Sequence, residues 1–127
     1  MEIITERHQH AELVKVSGHI DHHSAPELEQ SLNAIVKGGQ HNIVVDLSGV
    51  TYISSAGLKT LQATAKSARG GLLGGDLRLA GLQPNIKEIF KLIGFTDIFQ
   101  IYDHASDALE SFMPAELPPE AYFPPNI

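Results

Sequence analysis

The sequence predicts an α/β domain with a mostly parallel sheet and crossover helices. Strand-like segments are repeatedly followed by segments with apolar residues at helical spacing, which is the order that generates parallel strands. The chain has 127 residues, a length that fits one domain. Apolar residues make up 43 % of it and charged residues 19 %, which is typical of a globular protein with a core.

Two strands are expected at the N-terminal end of the chain. Ile3 to Arg7 is short and mixed in polarity, as a first strand can be. From Leu13 to Gly18 the chain alternates, with Val14 and Val16 on one face and polar residues on the other. This alternation predicts a half-buried strand that Gly18 helps to close.

A first helix is expected after the second strand. Ser24 suits the N-cap position, and Pro26 and Glu27 suit the first turn. Apolar residues then follow at helical spacing, namely Leu28, Leu32, Ile35 and Val36. The pair Gly38-Gly39 ends the helix.

The centre of the chain predicts a buried strand and a second helix. Asn42 to Leu47 is a nearly continuous run of β-branched residues, as in strands covered on both faces. The helix begins near Ser54 or Ser55 and runs to Arg69. Its inner stripe consists of Leu58, Leu61, Ala65 and Ala68. Its outer stripe consists of Lys59, Gln62, Lys66 and Arg69.

The remaining segments complete the predicted order and end in a proline-rich tail. They are a turn at 72–75, a strand at 77–80, a helix at 85–92 started by Pro84 and ended by Gly94, a strand at 98–102, and a helix capped by Asp103 or Ser106. Five of the seven prolines lie between Pro114 and Ile127. The sequence therefore predicts a domain over residues 1–113 and an extended tail over residues 114–127.

Charge and cysteine content narrow the function classes. Nine Lys and Arg stand against 15 Asp and Glu, a net charge of −6, which disfavours nucleic acid and anionic membrane as partners. The chain has no cysteine, which excludes disulfides, thiol catalysis and cysteine-ligated metals. No stretch has enough consecutive apolar residues to form a membrane helix, and the N-terminal residues lack the apolar core of a signal sequence. These features favour a cytoplasmic protein whose partner is a protein or a cationic molecule.

Two serines at the start of the second helix are the most informative feature. The stretch from Val44 to Leu58 places Ser54 and Ser55 where helix N–H groups are unpaired and the helix dipole is positive. A phosphate on Ser55 would meet those N–H groups. From the residues alone, a capping hydroxyl and a functional hydroxyl both remain open.

The segment from Asp46 to Leu58 closely resembles the signature of STAS domains, and among them the stand-alone anti-sigma factor antagonists. Blocks at 18–25, 77–84 and 90–99 resemble further family segments, in the right order, and the resemblance covers residues 2–112. It implies a mixed sheet of about five strands with about four helices mainly on one side. It also implies a protein that is not an enzyme and needs no cofactor.

The resemblance implies a phosphorylation switch at Ser55. In the family, a serine kinase that is also the anti-sigma factor phosphorylates this serine, and the unphosphorylated antagonist binds the kinase and frees the sigma factor. Ser54 replaces the usual acidic residue and is an alternative acceptor, while Ala56 replaces a hydroxyl residue. A phosphatase acting on phosphoserine completes the cycle. The expected partner-binding residues are Asp21, His22, Ser54, Ser55, Ala56, Gly57 and Lys59.

Four alternatives stand beside this switch. The chain could be a STAS subunit of a larger signalling or transport complex, in which Ser55 only caps the helix, or a small-ligand or nucleotide sensor. The histidines at 8, 10, 19, 22 and 23 could hold a metal, although His22 and His23 are adjacent and a site needs fixed geometry. A hydrolase is disfavoured because the glycine that begins a nucleophile elbow is missing before Ser54.

Overall fold

The computed structural model describes residues 1–114, and these residues contain one five-stranded sheet and four α-helices. The strands are β1 (Glu2–Arg7), β2 (Glu12–Ile20), β3 (Asn42–Ile53), β4 (Asp76–Ala80) and β5 (Ile101–Tyr102). The helices are α1 (Ala25–Lys37), α2 (Ser55–Arg69), α3 (Pro84–Leu92) and α4 (Ala105–Glu110). The predicted tail lies outside the described residues from position 115 onward.

The sheet is mixed, and most of its helices cover one face. Its strand order is β1-β2-β3-β4-β5, with β1 antiparallel to β2 and every other pair parallel. Alternate residues of β2, β3 and β4 pack with α1, α2 and α3 in the main core. The opposite face packs with α4 through Leu13, Val44, Ala80 and Ala108. The predicted fold class is therefore confirmed.

The two stripes predicted for α2 are present. Leu61, Ala65 and Ala68 are buried and Leu58 is half-buried, whereas the four residues of the outer stripe are exposed. The core side of α2 also includes Thr60 and Thr64, which the sequence analysis did not assign to it.

β2 and β3 both run further than their sequence pattern suggests. β2 passes through Gly18, whose φ of +90° accompanies a shift in register, and ends at Ile20. β3 continues beyond its predicted end at Leu47 to Ile53, and a Cβ at Gly49 would lie 2.7 Å from the Cβ of Ser17. Glycine therefore permits the close approach of the strands where their alternation breaks.

The C-terminal part of the domain differs from the prediction in two places. The last strand covers only β5, because the 3-10 helix at Phe95–Asp97 continues as a turn in which the N–H groups of Ile98 and Phe99 donate to the carbonyl of Phe95. Phe95 and Phe99 are both buried beside Phe90, with the first ring edge-on to that of Phe90 at 5.6 Å. Helix α4 starts after His104, so the predicted caps at Asp103 and Ser106 are wrong.

Candidate functional site

Two turns leave the sheet side by side, one leading into α1 and the other into α2. Their strands are parallel neighbours, with Ile20 opposite Ile53. The backbone N–H of Ser54 donates to the carbonyl of Ile20 at 2.8 Å. The turns that follow, beginning at Asp21 and Ser54, therefore emerge together from the carboxyl edge of the sheet.

The β2–α1 turn is closed by the carboxylate of Asp21. Its Oδ1 accepts hydrogen bonds from the N–H groups of His23 and Ser24, each at 2.9 Å. The hydroxyl of Ser24 accepts from the N–H of Asp21 at 2.9 Å and lies 3.0 Å from the carbonyl of His19, to which it donates. Ser24 precedes α1 as predicted, but its side chain does not cap the helix, because these bonds hold it within the turn.

Asp21 is fixed in its charged form. The N–H of Ser24, followed by that of His23, holds the pKa of the Asp21 carboxyl below its usual range. Its Oδ2 accepts no hydrogen bond from within residues 1–114. His22 is exposed in the same turn, and its ring centroid lies 4.1 Å from that of His23. The turn thus presents a carboxylate oxygen and an imidazole at the surface.

The two serines of the β3–α2 turn differ in what their hydroxyls do. Ser54 has an extended backbone and forms the N-cap of α2, with its hydroxyl accepting from the N–H of Gly57 at 3.3 Å. Ser55 is the first residue of the helix and is exposed. The hydroxyl of Ser55 makes no hydrogen bond to any residue from 1 to 114. The capping role therefore belongs to Ser54.

The start of α2 is suited to hold an anion. The first helical hydrogen bond runs from the N–H of Leu58 to the carbonyl of Ser54, and the N–H of Gly57 is taken by the cap. The preceding N–H groups, those of Ser55 and Ala56, have no partner in that ladder. No acidic residue stands in the first turn to balance the helix dipole. A negative group on Ser55 would therefore be stabilised locally.

Gly57 has a packing role in the structure. It is buried, and a Cβ there would lie 2.6 Å from Cγ2 of Ile20 and 2.9 Å from Cγ1 of Ile53. The missing side chain lets α2 sit on the ends of β2 and β3. Ala56 is half-buried, and Lys59 is exposed one turn after Ser55.

An aromatic pair beside the turns was not selected by the sequence analysis. His19 and Tyr52 face each other across β2 and β3, and their ring centroids lie 5.8 Å apart in an edge-on arrangement. Tyr52 is 50 % exposed. Extending the alternation of β3 as far as Ile53 would have identified Tyr52 as an outward-facing aromatic residue.

The described residues also bear on metal binding and membrane insertion. From residue 1 to residue 114, no three His, Asp or Glu side chains are grouped closely enough to hold a metal ion. In the same range, none of the helices combines the length and apolar character that crossing a bilayer requires.

Comparison with known proteins identifies the family to which this sheet and its paired turns belong. The family described as STAS domain matches residues 2–108. The chain therefore belongs to the STAS domain family.

Its relatives include antagonists of anti-sigma factors. A Bordetella bronchiseptica protein named as the anti-sigma factor antagonist BtrV is 35 % identical over 100 residues, covering 79 % of this chain and 84 % of that protein. The anti-sigma-B factor antagonist of Staphylococcus aureus is 31 % identical over 88 residues, covering 69 % and 80 %. The crystal structure of an anti-sigma factor antagonist from Mycobacterium paratuberculosis superimposes with a TM-score of 0.78 at 32 % identity, covering 87 % and 92 %.

Proposed function

We propose that this chain is a cytoplasmic anti-sigma factor antagonist that is switched off by phosphorylation of Ser55. The observation that carries the proposal is the exposed hydroxyl of Ser55 at the start of α2, beside a turn whose carboxylate is held charged. The names of the relatives point to the same activity.

In its unphosphorylated form the protein binds a serine kinase that is also the anti-sigma factor, and so releases the sigma factor for transcription. Its contact surface consists of seven residues: Asp21, His22, Ser54, Ser55, Ala56, Gly57 and Lys59. The protein acts as substrate and partner, so the ATP and the base that activates the serine belong to the kinase. A phosphatase acting on phosphoserine restores binding.

Phosphorylation changes the charge of this surface. A phosphoserine carries about −1.5 to −2 charges at neutral pH. Those charges would be added beside Asp21, whose carboxylate already carries one. The N–H groups of Ser55 and Ala56 would hold the phosphate in place, and a kinase surface shaped for a neutral hydroxyl would then meet a bulky anion.

The decisive experiment is incubation of the protein with its cognate serine kinase and ATP, followed by mass spectrometric mapping of the phosphate. We expect one phosphate, located on Ser55. Ser55→Ala should abolish its incorporation, whereas Ser54→Ala should retain it, because Ser54 is occupied as the cap. A phosphate mapped outside Ser54 and Ser55 would refute the proposed site.

A second measurement separates the switch from constitutive docking. The measurement is the affinity of the kinase for the phosphorylated and for the unphosphorylated protein. If the two affinities were equal, the chain would act as a permanent subunit of a larger complex and Ser55 would not be a switch.

A further inference from the structure

Positive charge is concentrated in one part of this acidic protein. Residues 55–93 contain six Lys and Arg but only two Asp and Glu. The rest of the chain contains three Lys and Arg and 13 Asp and Glu. Helix α2 carries no acidic residue at all. An acidic partner would therefore be repelled by most of the molecule and attracted by this part.

The basic residues of α2 lie on its exposed face. The guanidinium of Arg69 is already engaged within the protein. Its Nε forms an ion pair with Oδ1 of Asp76 at 2.8 Å, and its Nη2 donates a hydrogen bond to the carbonyl of Ile98 at 2.7 Å. Lys59 and Lys66 are exposed and form no ion pair with any residue from 1 to 114. These two ammonium groups are the available cations of the helix.

A shallow groove runs along this face, and we call it the α2 groove. It is lined by Lys59, Gln62, Ala63, Lys66, Arg69 and Ile98. Ile98 is 37 % exposed, so an apolar side chain lies beside the lysines. Asp97, the residue before Ile98 in the sequence, is also exposed.

We infer that the α2 groove docks an acidic segment of the kinase, with carboxylates on Lys59 and Lys66 and an apolar side chain against Ile98. This inference rests on the proposed function and extends it. Lys66 lies 11 residues beyond Ser55, which is about 16 Å along an α-helix. The docking surface is therefore longer than the phosphorylation site and its neighbouring turn.

The groove also explains why phosphorylation of Ser55 would weaken binding instead of strengthening it. Lys59 lies four residues after Ser55, so both lie on one face of the helix. A phosphate on Ser55 would attract the ammonium group of Lys59 and reduce the positive potential at one end of the groove. A partner held by carboxylates would then bind less tightly.

The experiment compares Lys66→Glu with a matched control, Lys37→Glu. Both lysines are exposed and lie in the last turn of a helix, α2 and α1 respectively. Calorimetric titration of the unphosphorylated proteins with the kinase should show that Lys66→Glu weakens binding about tenfold and Lys37→Glu less than about twofold. Lys66→Gln, which removes the charge without reversing it, should weaken binding about threefold. Raising the salt concentration should reduce these differences.

The outcomes separate this inference from the proposed function. If Lys66→Glu and Lys37→Glu bound the kinase with equal affinity, and the kinase could still phosphorylate Ser55 in both, the docking groove would be refuted. The proposed function would remain intact. If the native chain bound the kinase in neither its phosphorylated nor its unphosphorylated form, the docking groove and the proposed function would both be refuted.

Two other occupants of the groove would also overturn the inference. If sedimentation velocity showed self-association that Lys66→Glu abolished, the groove would be an interface between copies. If Glu116→Gln with Glu120→Gln strengthened kinase binding by the native chain but not by Lys66→Glu, the occupant would be the chain's own C-terminal segment.

Discussion

The β2–α1 and β3–α2 turns begin at the same place in the fold but close in different ways. Each follows a strand end of one parallel pair and leads into a helix on the same face of the sheet. The first turn is closed by a carboxylate, Asp21, whose Oδ1 is used by the turn itself. The second is closed by the hydroxyl of Ser54, and it leaves the next hydroxyl, that of Ser55, exposed.

The difference shows how a small surface can combine a fixed charge with a changeable one. Asp21 is held charged by backbone N–H groups, so its contribution is constant at neutral pH. Ser55 carries no charge and is not needed to close its own turn. A modification there can alter the surface without dismantling the fold.

The largest expected effect tests the changeable charge. Phosphorylation of Ser55 should weaken binding to the kinase about 100-fold, because the added charges lie beside a carboxylate and close to the docking face. Titration of the kinase with both forms, at low and at high salt, measures the effect. Higher salt should narrow the difference, because exposed charges are screened. A ratio that did not change with salt would argue against an electrostatic switch.

The next effect tests the packing that holds the two turns together. Gly57→Ala should destabilise the fold by about 1–2 kcal/mol, because the new methyl group would press against Ile20 and Ile53. Gly70→Ala is the control, since its Cβ would lie at ordinary contact distance, 3.5 Å from the nearest atom. Urea unfolding should show a change within about 0.5 kcal/mol for the control. Equal stabilities would mean that Ile20 and Ile53 can move aside.

A smaller effect separates the two serines. Ser54→Ala should cost about 1 kcal/mol of stability, because it removes the N-cap of α2. Ser55→Ala should change stability by less than about 0.5 kcal/mol, because an exposed hydroxyl is lost. Thermal unfolding of both variants provides the comparison. If Ser55→Ala were the more destabilising, the division between a capping and a functional serine would be wrong.

The smallest effect concerns the fixed charge. The folded pKa of Asp21 is lowered, so its contribution to stability is complete above the usual Asp pKa of about 3.9 and is lost as the pH falls through the folded pKa. Asp21→Asn keeps a hydrogen-bond acceptor but does not titrate. Unfolding measured from pH 7 into this acidic range should therefore decline less steeply for Asp21→Asn than for the native chain.

The same variant also tests the partner contact. Asp21→Asn should weaken kinase binding of the unphosphorylated protein if Oδ2 contacts the kinase. Unchanged binding would leave Asp21 as a residue that only closes its turn.

Sequence periodicity succeeded where one face of an element is buried along its whole length. The stripes of α2 follow directly from burial of Leu61, Ala65 and Ala68, and exposure of the basic residues opposite. It failed where alternation breaks. In β3 the register shifts near Gly49, so the pattern predicted a strand only from Asn42 to Leu47, although the strand continues to Ile53.

The candidate site was predicted in part. Ser54 and Ser55 were identified as helix-start residues, and Asp21 was identified through family resemblance. The division of roles between the serines required the hydrogen bond from Gly57 to Ser54. The burial of Gly57 was not predicted, because it depends on Ile20, which is distant in sequence, as well as on Ile53.

The sequence by itself determined the α/β class, the amphipathic helices and the position of the two serines, because these follow from local spacing and the chemistry of helix starts. Only the tertiary structure decided that Asp21 lies beside Ser54, that Gly57 is packed between Ile20 and Ile53, and that Ile98 borders the lysines of α2. The physical reason is that these contacts depend on the register of parallel strands and on the packing of helices over them. Residues separated by 30 or more positions meet there, and local patterns carry no information about such distances.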